Sequence, residues 1–426
     1  MQFRVESEWT TIIGAPVRLI QVYKDSFRYF KKDEATTYNP RFASGRWDGF
    51  KSLFDPHYLR FPTGLLSAAL TIAKREGHTP EIDMRLPELP ERIDRRVDLP
   101  ELRDYQIQAV EQALKFKRGV IRIPTGGGKT EAAISLIATS GVRRSLFLVP
   151  NRTILNQTVR RFKKALPGTT ILKWGDGSQD VTAEHVDDYV LVSTTQSAWK
   201  RTHYPQITDA QMVIVDESHH VAAETFHTVT RTCRNARYLI GLSATPYRDD
   251  GADMELTGWI GPPIFSIGYE ELISGGYLVP PRFVKVRSLE EAFEVTSGLK
   301  TLMFSEKIKE LQDYGPTLEK YNTVILTGKD KSSTIQGCLR RIEHGDITHI
   351  AATPIFDEGL DMPALDAIVF LACGRGRVRA MQRIGRGMRP YPGKKEVLVV
   401  DMLDKNYRSR YQAYMLEPAF ASRLGK

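Results

Sequence analysis

The segment GVIRIPTGGGKTEAAISLI, residues 119–137, constrains this chain more than any other. Its apolar run at 120–123 reads as a buried strand, and the residues after Thr130 carry an amphipathic helical pattern. Between them stand Pro124, Thr125, Gly126, Gly127, Gly128, Lys129 and Thr130. Consecutive glycines let backbone N–H groups approach an anion closely, and the positive end of the following helix adds to their pull. Lys129 supplies a point charge and Thr130 an oxygen for Mg2+, so the element reads as a cradle for phosphate. Ile123 stands where the longer G-x-x-x-x-G-K-[ST] pattern wants its first glycine, so only the seven-residue form is matched.

A second strand-like run, 212–215, delivers Asp216-Glu217-Ser218-His219-His220. Open parallel sheets bind ligands at the carboxyl ends of their strands, which is where these two acids fall. Asp216 suits Mg2+ held through water, and Glu217 suits acceptance of a proton from water attacking a γ-phosphate. An N-cap cluster opening the next helix is compatible with that reading. Zinc is not, because adjacent histidines point apart and no cysteine pair accompanies them.

The 426 residues suggest two or three domains. Apolar residues at 41% and charged residues at 26% exclude a disordered chain. Charges interrupt the first ten residues, and no uncharged apolar run of about 18 residues occurs, so neither a signal peptide nor a membrane span is expected. A cytoplasmic protein is expected. Cys233, Cys338 and Cys373 are widely spaced, so a disulfide framework and a zinc ribbon are both excluded. The net charge of +9 is concentrated: residues 374–410 hold eleven Lys and Arg against three acids. Six arginines from Arg375 to Arg389 have no acid among them, which leaves phosphate as the expected counter-charge and a solvated basic face as the alternative.

Apolar runs at 120–123, 145–149, 189–193, 212–215 and 238–242 alternate with helical patterns, and a second series follows at 301–304, 323–326, 349–352, 367–371 and 397–400. Near-continuous apolar strands between helices predict parallel sheets covered on both faces. The expected class is α/β: two tandem parallel-sheet lobes, residues 93–278 and 279–404, after a small α+β domain, residues 1–92. A helical tail, residues 405–426, completes the chain. Prolines and alternating charges at 86–100 predict an exposed connector, and Gly275, Gly276, Pro280 and Pro281 a bridge between lobes.

The cradle and the Asp-Glu-x-His box resemble those of superfamily 2 helicases of the DExH type, which have two RecA-like lobes that bind ATP in the cleft between them. The similarity runs over residues 99–403. It implies that Gln106, and Arg103 beside it, read the adenine; that Pro150, Asn151, Arg152, Thr194, Thr195 and Gln196 hold nucleic acid; and that His219, Ser243, Thr245 and Gln382 couple the two sites. For the loop-capping segments around Asn151 and Thr194, simple helix capping stays open as the alternative. In the second lobe the resemblance gives Thr353 to nucleic acid and Gly359 and Asp361 to nucleotide. Gln382-Arg383-Ile384-Gly385-Arg386-Gly387-Met388-Arg389 matches the family's Q/H-R-x-G-R-x-x-R, which makes Arg386 and Arg389 arginine fingers for the γ-phosphate.

The Asp-Glu-Ser-His box, with Arg103-Asp104-Tyr105-Gln106, looks like the branch of the phage UvsW-like branched-DNA helicases and XPB. The N-terminal Tyr38-Asn39-Pro40-Arg41-Phe42, Trp47-Asp48-Gly49-Phe50 and Phe61-Pro62-Thr63-Gly64-Leu65 resemble the UvsW-like proteins. This implies an ATP- and Mg2+-dependent monomer that unwinds or branch-migrates forked and Holliday-junction DNA in recombination, fork processing or repair. Basic residues Arg28, Lys31, Lys32, Arg41, Arg46 and Lys51 would suit phosphate, and Trp47 or Phe50 would suit base stacking. An ATP-switched clamp without strand separation and an RNA helicase are the alternatives.

Overall fold

The computed structural model describes all residues except 31–37, 89–91, 176, 180–186, 219–222, 245–252, 354–361, 363, 374–376, 405 and 425–426. It divides into two compact units, Met1–Ile123 with Gly128–Ser266, and Pro124–Gly127 with Ile267–Lys426.

In the first unit the apolar runs form a sheet in the order Ser178–Gln179, Thr170–Gly175, Tyr189–Thr194, Arg144–Val149, Met212–Val215, Tyr238–Ser243, Arg118–Arg122, Pro263–Ser266. All are parallel except the two-residue Ser178–Gln179 edge. Met212–Val215 and Tyr189–Thr194 are buried at every position, which explains why their sequences show no polar alternation. The second unit has six parallel strands in the order Pro281–Val286, Val397–Met402, Ala367–Ala372, Thr301–Ser305, His349–Ala352, Val324–Leu326. These are the two parallel-sheet lobes expected.

Three longer strands escaped the sequence reading: Thr170–Gly175, Pro263–Ser266 and Pro281–Val286. The last two lie at sheet edges. Proline has no N–H to give a neighbouring strand, and it is tolerated where a strand begins or runs along an edge, as Pro281 does. The expected bridge therefore leads straight into a strand of the second sheet.

Ahead of the first lobe, Arg60–Pro62, Trp9–Ile13, Gln2–Val5 and Glu81–Met84 make a mixed sheet in that order. Helices Val17–Ser26 and Leu66–Arg75 bury Leu19, Tyr23, Ala69 and Ala73 with Phe3, Phe27 and Phe61. A smaller antiparallel pair, Arg28–Phe30 with Phe50–Ser52, carries a ring cluster of Phe30, Phe42, Trp47 and Phe50.

This N-terminal layer is seated directly on the first lobe. A Cβ at Gly64 would come within 2.1 Å of the Thr257 carbonyl oxygen and 2.5 Å of that of Gly258. Only glycine lets the Pro62-Thr63-Gly64 turn approach helix Asp253–Trp259 so closely. Beside it, His227 Nε2 and Glu8 Oε1 are 2.9 Å apart, and the rings of His227, Trp9 and Trp259 pack together. Arg118 donates to the carbonyls of Ser7 and Trp259. Burial pushes its pKa down to about 10, with Glu8 opposing.

The connector is exposed, as expected, and is also tied to the lobe. Arg95, whose side chain is 1% exposed, donates to the carbonyls of Ile137, Val142 and Arg143 and pairs with Asp188. Arg92 donates to Thr139 O, and Ile93 N–H to Gly141 O. Prolines prevent a helix here, but the arginines satisfy carbonyls at the carboxyl end of helix Lys129–Ser140 and just beyond it.

Candidate active site

Because the strands are parallel, their carboxyl ends share one edge of the first sheet. Glu217 and Asp216 follow Met212–Val215, Ser243 ends the neighbouring Tyr238–Ser243, and Arg118–Arg122 beyond it leads to Lys129. Ile123 N–H donates to Ser243 O at 3.1 Å, tying the entrance of the cradle to that residue. On the other half of the edge, Arg144–Val149 leads to Pro150, Asn151 and Arg152, and Tyr189–Thr194 to Thr195 and Gln196. Sheet order thus brings the predicted nucleotide and nucleic-acid residues of this lobe to adjacent halves of one edge.

Lys129 Nζ lies 3.7 Å from Glu217 Oε1 and donates to Ile123 O at 3.3 Å. Their side chains are 10% and 15% exposed, so the pair is screened little by solvent. Glu217 has φ +45°, a left-handed conformation that costs a non-glycine residue about 1 kcal/mol or more. Asp216 Oδ1 accepts the Glu217 N–H at 3.0 Å. Such strain persists only where surrounding structure imposes it, as the strand-to-turn junction does here.

Gly126 and Gly128 have φ of +87° and +82°. At Gly128 a Cβ would meet Gln106 Nε2 at 2.2 Å, so that glycine is required twice over. Gln106 is buried; its Nε2 donates to Gly128 O at 3.1 Å and its Oε1 accepts from Arg103 N–H at 2.9 Å. The predicted adenine reader is therefore also a strut from helix Asp104–Phe116 to the cradle. Arg103 Nη1 donates to the Tyr105 hydroxyl at 2.8 Å.

Capping accounts for two predicted nucleic-acid side chains. Asn151 Oδ1 accepts from Ile154 N–H at 2.9 Å, and Thr194 Oγ1 from Ser197 N–H at 3.2 Å, each opening its helix. Arg152 and Gln196 are exposed, and Thr195 is half-buried.

In the second unit Thr353 is buried at the end of His349–Ala352, where its N–H donates to Leu326 O. Helix Arg377–Gly387 contains the buried Gln382 and the half-buried Arg386, with half-buried Arg389 just beyond it. His219, Thr245, Gly359 and Asp361 lie outside the described residues.

Not all the basic charge at 374–410 faces a phosphate. Arg383 is 1% exposed; its Nη1 contacts Cys373 Sγ at 3.0 Å and its guanidinium lies 4.9 Å from the Phe304 ring centre. Arg410, also 1% exposed, pairs with Asp401 and Asp404 and donates to the carbonyls of Cys373 and Met402. Lys394 donates to Gly387 O. Its pKa is pushed down to about 8 by burial, with Arg389 adding to the fall and Asp366 opposing it. Counting charge along the sequence missed these inward contacts, because Arg410 meets its carboxylates only once Val397–Met402 and helix Tyr407–Met415 have packed.

Among the described residues no helix is long and apolar enough to cross a membrane. Residues 99–248 match the family described as the type III restriction enzyme res subunit, and residues 284–391 the helicase conserved C-terminal domain. The chain is 27% identical over 361 residues to putative helicase 22 of a Sulfolobus islandicus filamentous virus, covering 71% of this chain and 64% of the relative. It is also 27% identical over 384 residues to the DNA 3'-5' translocase XPB2 of Sulfurisphaera tokodaii, covering 72% and 82%. The chain therefore spans just under two thirds of the viral relative and more of the archaeal one. In fold it is similar to the crystal structure of T4 UvsW, with a TM-score of 0.53 at 18% identity over 98% of each chain.

Proposed function

This chain belongs to the superfamily 2 helicases, related to the XPB proteins in sequence and to T4 UvsW in fold, and from that premise we propose that it hydrolyses ATP to remodel forked or Holliday-junction DNA. The observation that carries the reading is Lys129 beside Glu217, at the carboxyl edge shared by neighbouring parallel strands. Lys129 and the backbone N–H groups of the cradle would hold the phosphates. Glu217 would orient the attacking water and accept its proton. Arg386 and Arg389 would stabilise the charge of the transferring group, a contribution of about 10³ to 10⁵ in rate in related phosphoryl-transfer enzymes. Gln106 and Arg103 would face the base.

Thr130 and Asp216 offer hard oxygen donors, and no group of three or more His, Cys, Asp and Glu able to hold a metal occurs among the described residues. That set fits Mg2+, which takes one or two carboxylates beside phosphate oxygens. When bound, the ion would offset phosphate charge.

Two features support DNA as the substrate. The sequence relatives include one described as a DNA translocase, and the fold likeness to UvsW takes in the N-terminal layer as well as the lobes. In that layer Arg41, Arg46 and Phe50 are exposed, whereas the Trp47 indole N–H donates to Phe50 O and its ring packs on Phe42. Of the Trp47 and Phe50 rings, Phe50 is the more exposed and would be the one to meet a base, although Arg28 lies over its ring, with basic residues for the backbone. Arg152 and Gln196, both exposed, would follow the strand on the first lobe.

The test compares ATP turnover on forked DNA, linear duplex and RNA, and follows release of a labelled strand. Turnover stimulated by forked DNA together with strand or branch movement is expected. Stimulation without movement would assign an ATP-switched clamp, and preferential stimulation by RNA would assign an RNA helicase.

A further inference from the structure

Helix Arg377–Gly387 ends on carbonyl groups that its own turns cannot satisfy, and the fold supplies a partner for each of two of them. Lys394, from the turn ahead of Val397–Met402, donates its ammonium to Gly387 O. Val279 N–H donates to Met388 O at 2.8 Å. A cation at this position also meets the negative end of the helix dipole. Gly387 itself is pressed against the sheet, since a Cβ there would come within 2.6 Å of Val397 Cγ2 and 2.8 Å of Ile368 Cδ1.

The other side of the helix is held through Cys373, which follows Ala367–Ala372 and is 2% exposed. Its carbonyl accepts from Arg410 Nη1 at 3.0 Å and Asn406 Nδ2 at 2.9 Å, and its sulfur contacts Arg383 Nη1 at 3.0 Å. Arg410 in turn reaches Asp401, Asp404 and Met402 O, and Tyr414 donates to Asp401 Oδ2 at 2.9 Å. A guanidinium so fully used is a fixed strut rather than a mobile surface charge.

We propose that Lys394, Arg410 and Asn406 are positioning residues for phosphoryl transfer, fixing the two sides of the helix that bears Arg386 and leads to Arg389. The proposal rests on the reading of those two arginines as the charge-stabilising pair. Phosphoryl transfer gains little from covalent chemistry by protein and much from placement, and a displacement of about 1 Å can cost on the order of a hundredfold in rate. All three would act through the helix and not as ligands of the nucleotide.

The experiment is steady-state ATP turnover of the full chain with DNA, for Lys394→Met, Lys394→Gln and Asn406→Ala beside Arg389→Ala. Arg410→Ala is avoided as the primary variant because it leaves Asp401 buried and unpaired. Lys394→Met and Asn406→Ala are expected to lower kcat about tenfold, with KM for ATP within about twofold and an unchanged thermal midpoint. Lys394→Gln, which retains an N–H donor, is expected to recover part of the loss. Unchanged kcat in Lys394→Met and Asn406→Ala, where Arg389→Ala is inactive, would overturn the positioning role and leave the arginine reading standing. A fall in kcat matched by a fall in thermal midpoint would also overturn it, as simple destabilisation. Full activity in both Arg386→Ala and Arg389→Ala would remove the reading on which the proposal stands.

Discussion

Lys129 and Glu217 form a partly enclosed ion pair, Nζ to Oε1 at 3.7 Å, between the start of the cradle helix and the turn after Met212–Val215. The two residues are 88 positions apart in sequence and stand on strands separated by one neighbour in the sheet. At that distance the ammonium and the carboxylate attract one another across the mouth of the cradle. A γ-phosphate entering the cradle would compete for the same ammonium and release the carboxylate toward water.

The pair predicts different failures for its two members. Lys129→Ala should abolish turnover and weaken ATP binding, because in the proposed role it would remove a phosphate ligand. Glu217→Gln should retain ATP binding, measured by fluorescent-nucleotide titration, while turnover falls by at least about a hundredfold, the scale of general-base catalysis. Hydrolysis at the normal rate in Glu217→Gln would remove that residue from its role.

Gly64→Val should loosen the N-terminal layer from the first lobe. The Thr257 and Gly258 carbonyls leave no space for a side chain, and overpacking of this kind costs about 1–3 kcal/mol. Differential scanning calorimetry should show a lowered first transition, and tryptic cleavage within residues 86–100 should accelerate. An unaltered melting profile would contradict the tight seat.

His349 makes the second lobe sensitive to acid. Its ring is buried between Thr296, Thr348 and Phe293, and burial pushes its pKa down from 6.5 to about 4. Between those values the unfolded chain binds the proton and the folded one does not, so stability falls as pH drops from about 6.5 toward 4. The loss approaches about 3 kcal/mol at the acid end. Urea midpoints at pH 7 and pH 4.5 for wild type and His349→Phe should diverge, with the variant less sensitive to pH over this interval.

Exposed Arg152 should contribute one phosphate contact. DNA affinity is expected to fall with salt at a log–log slope near −0.9 per phosphate neutralised on duplex, and Arg152→Ala should reduce the slope by about one. A slope identical to wild type would place Arg152 away from the backbone.

The cradle, the two carboxylates and both parallel sheets were legible because their signals are local. A glycine turn between an apolar run and an amphipathic one, or a strand buried on both faces, is written within twenty residues. The strands Thr170–Gly175 and Pro281–Val286 were less visible, since a polar or proline-marked strand lacks the continuous apolar run of a central one. For the connector, composition showed that it is exposed and forms no helix, and not what Arg92 and Arg95 would find to bind.

The amino-acid sequence by itself therefore determined the fold class, the glycine turn and the acids set near it, because backbone conformation and strand burial follow from neighbouring residues. Tertiary structure alone decided which charges face outward. Arg410 and Lys394 resemble any other cation in a basic stretch until folding brings Asp401 and Gly387 to them. Gly64 resembles any turn glycine until a helix some 190 residues later lies against it. Hydrogen bonds and close packing act over a few ångströms in space, whatever the distance along the chain.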